Sequence, residues 1–179
     1  MPPEVYTLDP GEHEWEALLR PWDWRLPEAY AVRLANRYGD VFLEVPGAGV
    51  MALDIGQGTL EPVAASLEEF ERGLEDPEKA AMWLMIPLVD QLVASGSRPG
   101  PGQCYSFARP PSAGGDYAAE NTAVVDVAAH FAIYADLQRT LRRYSNGQVV
   151  HLDLDGGWIA EVHPRLAAES REKWTVTRE

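Results

Sequence analysis

Val41-Phe42-Leu43-Glu44-Val45, then Pro46-Gly47-Ala48-Gly49, then Val50-Met51-Ala52-Leu53-Asp54 is the stretch on which the fold turns. The first five residues are rich in strand formers, and the Pro-Gly-Ala-Gly that follows is a turn signal. Val50 to Asp54 reads as the returning strand, and Gly56-Gln57-Gly58 turns the chain again into Thr59 to Val63. Connections this short cannot make parallel crossovers, so the spacing predicts a three-stranded antiparallel meander.

Working outward, Trp15, Leu18 and Leu19 predict a short helix over Glu12 to Arg20, broken by Pro21. Tyr30, Leu34 and Tyr38 fall at i, i+4 and i+8, which predicts a helix from Pro27 to Tyr38 with Gly39 at its C-terminal end. On the other side, Ser66-Leu67-Glu68-Glu69 is a capping box, and Leu67, Phe70 and Leu74 give the helix behind it one apolar face. Asp76-Pro77 restarts a helix carrying Ala81, Leu84, Leu88 and Leu92, bent at Pro87. Gly96 to Gly102 is a loop, Cys104 to Phe107 a short strand, and Arg109 to Gly115 a further exposed loop.

Asn121 to Val127 reads as a strand, and Ala128 to Tyr144 as a helix with Phe131, Tyr134, Leu137 and Leu141 on its buried stripe. Arg139, Arg142 and Arg143 lie near its C-terminus, where the helix dipole favours positive charge. Val149 to Val162 is a hairpin in outline around Asp155-Gly156, with Val149 facing Val162. Pro164 to Glu179 is polar and carries no assignment. Strands first and helices later make an α+β fold, an antiparallel sheet packed against several helices.

The chain's 179 residues suffice for one domain with a real core, and an apolar fraction of 46% argues against disorder over most of it. The formal net charge is −13, which repels phosphate backbones and steers toward a basic protein partner instead of a nucleic acid. A single cysteine, Cys104, excludes an intramolecular disulfide. The longest uncharged apolar run, Ala80 to Val89, is half what a membrane span needs, and Met1-Pro2-Pro3-Glu4 opens no secretory signal. The expectation is a cytoplasmic protein without membrane contact.

Catalysis requires convergent groups, and no G-x-S-x-G serine, Walker loop or dinucleotide fingerprint is present. The glycine pairs at Gly47/Gly49 and Gly56/Gly58 lie in hairpin turns with no helix directly after them. His151, Asp153 and Asp155 alternate along one strand face and are the best metal-ligand candidates, although the turn itself accounts for Asp155. Glu12-His13-Glu14 reads as a solvated charge cluster, His130 as a hydrogen-bonded core histidine, and Cys104 as a structural thiol without a base beside it. The expectation is no enzyme, no cofactor and no metal. A scaffold or ligand-binding domain, or a metal-dependent hydrolase built on His151, Asp153 and Asp155, remains open at this point.

Several segments in order carry a resemblance. They are Asn36-Arg37-Tyr38-Gly39-Asp40-Val41-Phe42-Leu43; Gly58-Thr59-Leu60 leading to Ser66-Leu67-Glu68-Glu69-Phe70; Leu88-Val89-Asp90-Gln91-Leu92; Gly100-Pro101-Gly102-Gln103-Cys104-Tyr105; and Pro110-Pro111 with Gly114-Gly115, Tyr117, Glu120-Asn121 and His130-Phe131. Together they resemble the C-terminal domain of the Tdi immunity proteins, which neutralise a DNase toxin delivered by type VI secretion. The resemblance covers residues 22–147, leaving 1–21 as a lead segment and 148–179 as a hairpin and tail packed on the same domain. Family members often carry a GAD-like domain ahead of this one, for which the residues before Trp22 are too few. The resemblance implies a bacterial, non-catalytic α+β unit that binds a toxin. On that reading Glu68, Glu69, Glu71 and Asp116 supply negative charge to a basic DNase, with Tyr117 or Trp24 as aromatic anchors.

Overall fold

A computed structural model of the chain describes residues 4–9, 11, 13–145, 149–151 and 173–175. The meander is present as β2 (Val41–Val45), β3 (Gly49–Asp54) and β4 (Thr59–Ala64), paired antiparallel in chain order. A fourth strand, β1 (Ala31–Ala35), joins β2 at the outer edge, giving the order β1-β2-β3-β4. Pro62 lies on β4, an edge strand, where a missing amide donor is tolerated.

β1 replaces the helix predicted from Pro27 to Tyr38. Leu34 and Ala35 are both buried but belong to different apolar clusters, on opposite faces of the sheet, as alternation along a strand requires. Arg33 forms an ion pair with Glu44 of β2, and Tyr38 packs into a third cluster with Tyr105 and Phe107. The i, i+4, i+8 spacing of Tyr30, Leu34 and Tyr38 therefore marks three separate environments and no helix face.

The sheet is covered on both sides. Ala35, Val41, Leu43 and Leu53 face a cluster containing Leu19, Trp22, Phe131 and Tyr134, brought by α1 (Trp15–Leu19), the 3-10 turn Arg20–Trp22, and α5 (Val127–Leu141). Leu34, Phe42 and Val50 face Phe70 of α2 (Leu67–Glu75) and Leu84, just beyond α3 (Pro77–Trp83). The Phe42, Phe70 and Trp83 rings pack together there, with centroids 5.1 to 5.9 Å apart. α4 (Ile86–Ala94) and β5 (Gln103–Phe107) build the third cluster around Tyr38. Among the described residues β5 pairs with β6 (Thr122–Asp126) in a separate two-stranded sheet.

The capping box forms, with one displacement. Ser66 Oγ accepts from Glu69 N at 3.2 Å, while the Glu69 carboxylate accepts from Ala65 N at 2.8 Å, one residue before the cap. The next helical stretch does not bend at Pro87 but breaks into α3 and α4 at Met85, whose φ of 53° is left-handed. Pro87 then occupies the first turn of α4, where no amide donor is needed.

The predicted hairpin over Val149–Val162 and its Asp155-Gly156 turn lie largely outside the described residues. Within them, β7 (Val149–His151) pairs antiparallel with β8 (Lys173–Thr175), with Val149 opposite Thr175; Val162 lies outside the described residues. A strand thus occurs in the stretch left without assignment from sequence.

The turn from β1 into β2 ties these layers together. Asn36 is fully buried; its Oδ1 accepts from Tyr38 N and Asp40 N at 2.9 and 3.0 Å. Its Nδ2 donates to Asp40 Oδ2 at 2.8 Å and to Trp83 O at 2.9 Å. Asp40 Oδ1 accepts from Ile55 N at 3.0 Å, beyond the end of β3. Tyr105 N donates to Arg37 O, and the His130 imidazole bonds Tyr38 O at 3.0 Å. Gly39, at φ 86°, leaves room for that imidazole; an added Cβ would stand 3.0 Å from it.

Two consequences are measurable. Asn36→Ala leaves two backbone amides, a carbonyl and a carboxylate without their partner, and lowers stability by about 3 kcal/mol or more in urea unfolding. The second concerns pH. Desolvation, reinforced by the nearby Asp54 carboxylate, pushes the Asp40 carboxyl up from 3.8 to about 7, against the lowering effect of its bonds to Asn36 and Ile55. The folded chain therefore holds the Asp40 proton more tightly than the unfolded chain. This contribution is complete below the ordinary value and is lost as pH rises through about 7. Unfolding free energies measured between these limits fall with pH in the wild type, and Asp40→Asn flattens that fall. An unchanged slope in the variant assigns the pH dependence to other groups.

Candidate functional site

Two of the reactive side chains singled out from sequence, Cys104 and His130, are built into the core. Cys104 is fully buried on β5, and burial raises its thiol well above the ordinary range, with Asp126 adding to the effect. A thiol held protonated is a poor nucleophile. His130 is a core histidine bonded to Tyr38 O, as expected, with its ring against Phe131 and Tyr134. The Tyr134 hydroxyl donates to Phe107 O at 2.7 Å, and burial pushes its ionisation up. The His13 ring stands edge-on to Trp15. Among the described residues no group of three or more His, Cys, Asp or Glu could hold a metal. Asp153 and Asp155 of the candidate metal set lie outside those residues.

The six candidate contact residues occupy three separate places. Glu68 and Glu71 are exposed on α2, whose Phe70 side is buried against the sheet, and Glu75 continues the acidic face. Glu69 is partly buried and caps the helix, so its carboxylate serves the fold first. Trp24 is half-buried, stacked on Trp22, with the Arg142 and Arg139 guanidinium groups 5.1 and 6.0 Å from its ring. Its surroundings are cationic, which separates it from the acidic candidates. Asp116 and Tyr117 are exposed on the loop before β6, and the Tyr117 ring meets Phe107 edge-on at 5.2 Å.

That loop corrects another expectation. Arg109 to Gly115 reads as exposed from composition, yet Pro110, Pro111, Ser112 and Ala113 are buried. The cause lies on α5: Gln138, itself buried, donates from Nε2 to Ser112 Oγ at 2.8 Å and to Gly56 O at 2.7 Å. Asn121 closes the loop from the other side. Its Oδ1 accepts from Arg109 N at 2.9 Å, and its Nδ2 donates to Arg109 O and Asp116 O at 2.8 Å each. Sequence reasoning identified neither Gln138 nor Asn121 as a clamp. Only the Asn at the start of a strand hinted at one, through its preference for bonding nearby backbone.

Chemically, these places offer carboxylates on a helix face and an exposed phenol ring beside an acid. No helix among the described residues is long and apolar enough to cross a membrane.

No curated protein and no solved structure matches the chain. Residues 64–138 match the family model described as "T6SS immunity protein Tdi1, C-terminal". The match begins at the end of β4 and runs through most of α5, taking in the Ser66 capping box, the Gly100–Tyr105 segment and the Pro110–Asn121 loop. It is shorter than the span of the sequence resemblance, and Asn36–Leu43 lies outside it. Over residues 64–138 the chain is similar to the C-terminal domain of the type VI secretion immunity protein Tdi1.

Proposed function

We propose that the chain is a non-catalytic immunity protein that binds a type VI nuclease toxin directly and neutralises it in the bacterial cytoplasm. The family match over residues 64–138 carries this reading. Charge supports its finer part. A DNase presents positive potential to DNA, and a chain of net charge −13 is steered to that potential and competes for it. The exposed carboxylates of Glu68 and Glu71, on a helix anchored by Phe70, form a fixed acidic surface suited to the purpose. On this reading residues 22–147 act as one binding domain, with Leu8 and Leu19 of the preceding segment packed into its core.

The test is a titration of the purified chain into a type VI DNase toxin domain acting on plasmid DNA. Cleavage ceases near one equivalent of chain if the proposal holds. Undiminished cleavage at large excess, with no binding by calorimetry, sinks it. The double variant Glu68→Lys/Glu71→Lys, which leaves the Glu69 cap intact, binds about ten-fold more weakly at low salt and with a shallower salt dependence. Wild-type affinity in that variant removes α2 from the contact surface and leaves the toxin reading in place.

A further inference from the structure

We infer that the loop over residues 109–121 is a preorganised docking element that presents Tyr117 to a basic partner protein. The inference rests on the toxin-binding reading and names the surface that would carry it.

An exposed aromatic ring is common enough to need no explanation by itself, but this one stands on a loop that is fixed at several points. Gly114 reverses the chain at φ 79°, and Gly115 N donates back to Pro110 O at 3.0 Å. Gly115 passes so close to the preceding strand exit that an added Cβ would stand 1.9 Å from Arg109 O. The Asn121 amide then bonds Arg109 at both its N–H and its carbonyl, and holds Asp116 O as well. Ala108 N donates to Asn121 O at 2.7 Å, and Gln138 holds Ser112 from the core side. Very little backbone freedom is left between Arg109 and Asn121 for binding to remove.

Tyr117 emerges from this frame 55% exposed, with one ring edge seated against Phe107. A rigid aromatic side chain held at its base loses little entropy on binding, which is the property of residues that dominate interface energies. The exposed charged residues of the same loop, Asp116 and Glu120, are both acidic. They set the sign of the partner and add to the field of the whole chain. The α2 face offers acids without an apolar anchor, because Phe70 is turned inward and Leu67 and Leu74 pack beside it. Met82 on α3 is also an exposed apolar side chain, at 67%, but it is flexible and Glu78 and Lys79 nearby are of opposite sign.

The experiment measures calorimetric affinity for a type VI DNase toxin domain with the full chain and four variants. Tyr117→Ala weakens binding by roughly 30-fold, the loss typical of an aromatic hot spot. Tyr117→Phe and Met82→Ala stay within about three-fold of the wild type, the uncertainty of near-neutral contacts. Asp116→Lys weakens binding and makes its salt dependence shallower. Thermal unfolding of each variant accompanies the binding data, and Asp116→Lys carries the test should Tyr117→Ala unfold. Wild-type affinity in both folded Tyr117→Ala and Asp116→Lys overturns the docking role while the toxin reading stands. Failure of the wild-type chain itself to bind overturns both together.

Discussion

The Asn36 carboxamide uses both its acceptor capacity and both its donors on groups from different parts of the chain. Its oxygen fixes the turn between β1 and β2, and its nitrogen joins that turn to the C-terminal end of α3 through Trp83 O. Through Asp40 the same turn reaches the residue after β3, and the carbonyls of Arg37 and Tyr38 reach β5 and α5. Buried polar groups are costly unless satisfied, so each of these bonds is required by the others. The arrangement of the layers therefore depends on one side chain that no periodicity analysis would single out.

With that turn fixed, the central sheet can be covered on both faces. Alternate residues of β1 to β3 point into two different clusters, and the helices that fill them come from distant parts of the sequence. α1 and α5 cover one face, α2 and the end of α3 the other. The family-matched span from 64 to 138 supplies three of these helices but only the end of the four-stranded sheet. Its helices are consequently positioned by strands that precede it, and the exposed face of α2 is displayed only because Phe70 finds Phe42 and Trp83.

What could be read from sequence was whatever is decided by neighbours in the chain. The β2–β4 meander follows from short turns, α2 from Ser66 and Glu69, and α5 from a continuous buried stripe. β1 was misread because Tyr30, Leu34 and Tyr38 imitate a helical repeat, whereas their partners lie across strands and in separate clusters. The break at Met85 and the burial of Pro110–Ala113 share this origin. The latter is imposed by Gln138, 26 residues away, which composition cannot reveal. For the candidate site, sequence supplied the acids, the aromatics and the capping role of Glu69, but not that Trp24 is taken up by two arginines while Tyr117 remains on display.

The way polar chemistry is divided between interior and surface bears on function. Cys104, His130 and Tyr134 lie within one packed region, and each is committed to packing or to a backbone carbonyl. Freeing any of them for reaction would mean breaking bonds that hold β1, β5 and α5 in place. The surface can change without that cost. Glu68, Glu71, Asp116 and Tyr117 project from elements whose inward sides do the structural work, so their identities are constrained little by folding. Substitutions at these four surface positions therefore leave the core turn at Asn36 and the layers it joins intact.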